Sequence, residues 1–156
     1  MPATQGVFAK ATGAPNTNVI TVAYEPKAVI VWSTAVVGAA TGFSTGGGFY
    51  HGFSDGTNHR SVAIRANTNV GPATSRMTTR YSKTTVLDII STASGALTDS
   101  ATVAFAAAGG GNWDVTFTWT VQSGTAFGSH YMILGGAMPA RVGSALITAG
   151  AHEQTI

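Results

Sequence analysis

The sequence predicts an all-β chain, an antiparallel β-sandwich or jelly-roll-like fold of about eight to ten strands. Three observations carry this expectation. Residues 113–121, WDVTFTWTV, alternate without a slip: Trp113, Val115, Phe117, Trp119 and Val121 fall on one face, and Asp114, Thr116, Thr118 and Thr120 on the other. That period of two belongs to a half-buried strand. Short runs rich in β-branched residues recur between Gly, Pro and Asn turn signals, at spacings of roughly 8–12 residues. No stretch of about a dozen residues keeps a capped helical period.

Taken in chain order, 6–12 and 18–24 read as strands joined by a hairpin through Gly13-Ala14-Pro15-Asn16. Glu25-Pro26-Lys27 leads into 28–34, where the apolar residues run on unbroken from Ala28 to Trp32. An unbroken run marks a strand covered on both faces. Residues 35–48 are read as a loop, 49–54 and 59–66 as a hairpin around Asp55-Gly56, and 67–79 as a second loop. Strands are expected at 81–91, 100–108, 113–121 and 130–136, with Gly109-Gly110-Gly111-Asn112 as a flexible hairpin between the second and third of these. The expected core holds Val22, Ile30, Trp32, Val62, Ile64, Leu87, Ile89, Phe105, Val115, Phe117, Trp119, Ile133 and Leu134.

Residues 1–136 are read as a single sandwich domain. Residues 137–156 form a C-terminal extension or arm, set off by Gly135-Gly136 and Pro139, with one β-capable run at Ser144, Ala145, Leu146, Ile147 and Thr148. That run is expected to add as a strand to a sheet edge, preferably a neighbour's.

Composition narrows the function. Charged residues make up 9% of the chain, against about 25% in ordinary soluble domains. A surface this poor in charge favours association, so the chain is expected to be an assembly component and a homo-oligomer. The formal charge of +2 is too small for a nucleic-acid footprint. No stretch approaches the roughly 18 apolar residues of a membrane span, and the first residues lack a basic start followed by an apolar stretch, so synthesis in the cytoplasm is expected. With no cysteine, neither a disulfide framework nor a thiolate metal site exists.

Catalytic and metal constellations are weak. His51, Asp55 and His59 are evenly spaced, but a two-residue turn at Asp55-Gly56 places the two histidines on opposite faces. The triple glycines at 46–48 and 109–111 precede neither Lys-Ser/Thr nor a helix, so they are turns and not phosphate loops. The acids are too scattered to make a hydrolytic pair. Asp88, within an apolar strand, needs a partner from Arg65, Arg76 or Arg80. No catalytic residue, metal or cofactor is assigned. The neutral face of Thr116, Thr118 and Thr120 is the candidate interface, together with Ser144–Thr148. Phe49, Tyr50, Phe53 and Trp113 are the candidates for a glycan-stacking platform.

At EPKAVIVWST (25–34), WDVTFTWT (113–120) and HYMILGG (130–136) the chain resembles a family of β-rich structural proteins of tailed bacteriophages, either capsid decoration or tail-associated. The resemblance runs in order over most of residues 6–145 and departs at 57–80. It implies a non-enzymatic virion protein, in the first place a decoration or cement protein that binds the major capsid protein and stabilises the assembled head. The other reading it leaves is a tail, collar or fibre component with a glycan- or receptor-binding sandwich. The implied location is the virion, and the implied partners are further copies of the chain and another virion protein, without nucleic acid or membrane.

Overall fold

The computed structural model describes residues 1–37, 48–67, 76–91 and 95–136. The expected arm strand at Ser144, Ala145, Leu146, Ile147 and Thr148 lies outside them. Among the described residues there is no helix, and ten strands form two antiparallel sheets, as the sequence predicts. The strands are β1 (Ala3–Ala9), β2 (Thr17–Val22), β3 (Pro26–Val37), β4 (Gly48–Ser54), β5 (His59–Asn67), β6 (Arg76–Ser82), β7 (Leu87–Ile90), β8 (Leu97–Gly109), β9 (Asn112–Val121) and β10 (Phe127–Gly135). The six-stranded sheet has the order β1-β10-β3-β4-β5-β6, and the four-stranded sheet β2-β9-β8-β7.

β9 behaves as its alternation requires. Val115, Phe117 and Trp119 are buried, while Thr118 and Thr120 face out. They meet Val29, Val31 and Ile133 from the other sheet in one core, where Phe8 of β1 packs on Phe117 with ring centroids 4.8 Å apart. The β8–β9 hairpin turns on Gly109, Gly110 and Gly111, all at positive φ, a run of left-handed positions that only glycine adopts without strain.

Three local expectations are corrected. β1 and β2 do not form a hairpin: β1 pairs with β10 and β2 with β9, in different sheets. The intervening chain arches from one sheet to the other, tied by the Asn18 side chain, which donates to Ala9 O and accepts from Ala11 N. The stretch 81–91 is not one strand. It divides into the end of β6 and the whole of β7, with the chain changing sheets between them, and β6 itself begins at Arg76, within the expected loop 67–79. The β4–β5 turn holds four residues, because Ser54 pairs with His59. Asp55 organises it by accepting hydrogen bonds from Thr57 N, Asn58 N and Asn58 Nδ2.

The crossing between sheets leaves no room at β4. A Cβ on Gly52 would lie 1.7 Å from Val86 O, a backbone atom that cannot swing aside. Gly52→Ala is therefore expected to reach or exceed the upper end of the roughly 1–3 kcal/mol that overpacking costs, read as a lower urea midpoint. An unchanged midpoint would contradict this close approach.

The buried carboxylates of the sandwich are paired, whereas Arg60 Nε, Arg65 Nε and Ser129 Oγ are buried without a hydrogen-bond partner. Asp88 accepts from Arg80 Nε at 2.9 Å and from Ser100 Oγ at 2.8 Å, so of the three arginines considered, Arg80 is its partner. Arg65 Nη1 instead donates to Ile90 O and Tyr50 Oη. At one end of the sandwich Lys10 and Asp99 form a fully enclosed ion pair at 2.7 Å.

Candidate functional site

The alternation of side chains gives each sheet one face inside the sandwich and one outside, and the two outer faces differ sharply. On the four-stranded sheet, Thr116, Thr118 and Thr120 stand in line along β9. Thr118 lies between Thr17 and Thr102, and Thr116 between Val19 and Ala104. Asp114 accepts a 2.7 Å hydrogen bond from Thr21 Oγ1. This is the small-residue surface expected from β9, made of hydroxyls and alanines, with Asp114 as the one charge that β9 contributes to it.

The outer face of the six-stranded sheet is apolar and aromatic. The strand registers align one residue from each strand into a row: Val7, His130, Trp32, His51, Val62 and Tyr81. The next row holds Gln5, Met132, Ile30, Phe53 and Arg60. Phe49 and Ile64 pair on the other side of the first row. Rings contact along the surface: the His130 imidazole stacks on Trp32 at 5.5 Å and 6°, and His51 stacks on Phe49 at 6.0 Å and 8°. Val7, Phe49 and Tyr81 are each about half exposed, at 49%, 49% and 48%. No strand of the described chain packs over this face. Its only full charge in these rows is Arg60, whose Nη1 is engaged by His59 O and Lys83 O.

This face is built from residues expected in the core. Ile30, Trp32, Val62, Ile64 and Leu134 point outward, whereas their neighbours Val29, Val31, Ala63 and Ile133 fill the interior. The strand periodicity explains the error. β3 is apolar at consecutive positions, so both faces look equally fit for burial, and the small Ala63 and Ser61 of β5, not the larger Val62 and Ile64, occupy the crowded inner side. The signal that could have found the face was the unbroken run Ala28 to Trp32, read as covered on both sides. One cover is the four-stranded sheet. On the outer side no described strand lies over β3.

The stacking platform is divided. Phe49 and Phe53 do lie on the outer face, flanking His51. Tyr50 is a correction: it is fully buried, with its hydroxyl near Ile90 O and Arg65, because alternate residues of β4 face opposite ways. Trp113 is also displaced, packing partly buried against the core on the other sheet. Between Val7, Trp32 and His130 the outer face is indented by a shallow groove of about 360 Å³, with Gln5, Gly6 and Tyr131 also lining it.

His51 and His59 lie on opposite faces, through a longer turn than expected. His51 faces out, while His59 Nδ1 meets the inward Ser54 Oγ at 2.7 Å. Among the described residues no group of three or more His, Cys, Asp or Glu is placed to hold a metal. Burial lowers the pKa of His51 below its ordinary 6.5. Burial also lowers that of His59, with Arg60 acting the same way and Asp55 opposing. Both imidazoles thus bind protons more weakly in the folded chain than in the unfolded one. Their contribution is fully present above pH 6.5 and is lost as the pH falls through the depressed values. Urea midpoints are expected to fall between neutral pH and about pH 5, and less steeply in a His51→Gln/His59→Gln variant. An equal decline in that variant would contradict the assignment.

No protein-family model matches the chain, and no curated protein or solved structure is significantly similar to it. The resemblance to phage structural proteins therefore stands on the three strand motifs alone.

Proposed function

We propose that the chain is a non-enzymatic structural protein of a virion, a decoration or cement protein that acts by covering its apolar sheet face in an assembly. The observation that carries the assembly reading is the row Val7, His130, Trp32, His51, Val62 and Tyr81. A contiguous apolar surface spanning a whole sheet marks an interaction site in a folded protein. The low charged fraction of 9% supports the same reading, and the virion context comes from the resemblance of the motifs at 25–34, 113–120 and 130–136 to phage structural proteins. The mechanism is mass action: a component that binds only the assembled lattice stabilises it by its binding free energy. The threonine face on the four-stranded sheet offers a second contact, through hydroxyls that need no ion desolvation.

Electron micrographs of particles labelled with antibody against the chain test this. Regular labelling of the head supports the cement reading, and absence from particles overturns it. A second reading, a tail, collar or fibre module that binds glycans, is favoured by Phe49 and Phe53 flanking His51 on the open face. Labelling confined to the tail would select it. Within the assembly, Thr118→Ala is expected to leave the subunit's own unfolding nearly unchanged. If the same change weakens attachment to particles, the threonine face meets the lattice.

A further inference from the structure

The apolar face requires a cover, and its shape selects one. We propose that a second copy of this chain packs on it, sheet face to sheet face, about a twofold axis that runs along the strands between β3 and β4. This rests on the reading of the face as an assembly surface and names its partner.

Three features point to a second copy. The first is size. Six strands spaced about 4.8 Å apart, over roughly seven residues each, present a footprint on the order of 600–700 Å², close to the roughly 800 Å² per partner of a standard interface. The second is charge. The rows hold no carboxylate and no lysine, and of their one guanidinium, Arg60, Nη1 is engaged by backbone carbonyls. A basic partner would find no carboxylate to pair with, and an acidic or polyanionic one only the single Arg60 guanidinium, so a face this poor in charge suits a partner equally poor in charge, as a second copy is. The third is shape. The groove between Val7, Trp32 and His130 lies at one end of the row, and the half-exposed Tyr81 projects at the other. A twofold axis along the strands reverses the row, so it carries the partner's Tyr81 towards that groove and Tyr81 towards the partner's groove. Trp32 and His51, paired across β3 and β4, straddle the axis, where the contacts that dominate an interface are usually found. Face-to-face sheets pack about 10 Å apart with mean strand directions within about 30° of each other, a condition that a twofold axis along the strands meets.

The chain has no cysteine, so a single introduced one reports its own surroundings. His51→Cys, treated with a short bis-maleimide, is expected to give covalent dimers, and Thr118→Cys on the opposite sheet is not. Sedimentation is expected to show that Val62→Glu and Tyr81→Asp shift the dimer to monomer by at least tenfold in dissociation constant. Both positions are exposed, so the variants should retain a cooperative unfolding transition, and circular dichroism on the same samples checks that they do. If the unaltered chain is monomeric and His51→Cys does not cross-link, the second-copy proposal fails. Particle binding then separates the two ideas: a monomer whose attachment to particles is abolished by Val62→Glu keeps the assembly face but gives it another occupant, and one whose attachment is unaffected loses both. Cross-linking through Thr118→Cys instead would place the contact between copies on the wrong sheet and overturn the proposal.

Discussion

Asp99→Ala is expected to destabilise the isolated subunit by about 3–5 kcal/mol, the range for removing one partner from a buried ion pair. The Lys10 side chain is 0% exposed and that of Asp99 3%, so the ammonium left behind is a buried charge whose remaining hydrogen-bond acceptor is Ser123 O. Asp99 also accepts from Ser123 N and from Ser123 Oγ, which fixes the β9–β10 connection to the start of β8. The Lys10 ammonium lies over the Trp119 and Phe127 rings at 5.7 and 5.5 Å, contacts too weak to replace a carboxylate in a dry site. Much of the loss is the penalty of an unpaired charge and not the net worth of the pair. A Lys10→Met/Asp99→Leu chain should therefore be more stable than Asp99→Ala, although Ser123 loses its acceptor in both. Urea unfolding of the three chains checks this. A loss below about 1 kcal/mol in Asp99→Ala, the scale of an exposed pair, would contradict the enclosed geometry.

Trp119→Ala is expected to cost a similar amount, about 3–5 kcal/mol, as truncation of a large buried aromatic does. The indole is 2% exposed and meets Phe127 edge-on at 5.7 Å and 87°. Its Nε1 donates to Asn18 Oδ1 at 2.8 Å, and the same oxygen accepts from Ala11 N. The substitution thus opens a cavity and loosens the arch that carries the chain from β1 to β2. Thr118→Ala, one residue away on the exposed face, should change the unfolding midpoint far less. Equal effects would mean that β9 does not divide into an inner and an outer face.

These two sites show what the sequence could and could not reveal. β9 was readable because strict alternation leaves a single way to orient the strand, so the burial of Trp119 and the exposure of Thr118 followed directly. β3 was readable as a strand but not in its facing, since Val29, Ile30, Val31 and Trp32 are all apolar and periodicity cannot rank two apolar faces. The sandwich class was accessible from local patterns. The pairing of β1 with β10 was not, because it joins segments more than a hundred residues apart through backbone hydrogen bonds that carry no residue code. Lys10 and Asp99 stand 89 positions apart, and nothing near either residue announces the other. Asp88 is different: a carboxylate inside VLDII has to be paired, and its partner Arg80 stands only 8 positions away. On the functional side the charge deficit points to assembly, but alternation points to the threonine face of β9, because the apolar residues that the six-stranded sheet exposes read as core.

Hydroxyl-radical oxidation tests the covered face most directly, because that face is rich in the side chains the radical attacks. The chain at assembling concentration and the Val62→Glu variant are oxidised in parallel and read by mass spectrometry. Trp32, Met132 and Tyr81 are expected to be several-fold less oxidised in the assembled chain than in the variant, while Trp113, against the core of the other sheet, reacts alike in both. Equal oxidation of Trp32 and Tyr81 in the two samples would show that the face stays open, and would contradict the account.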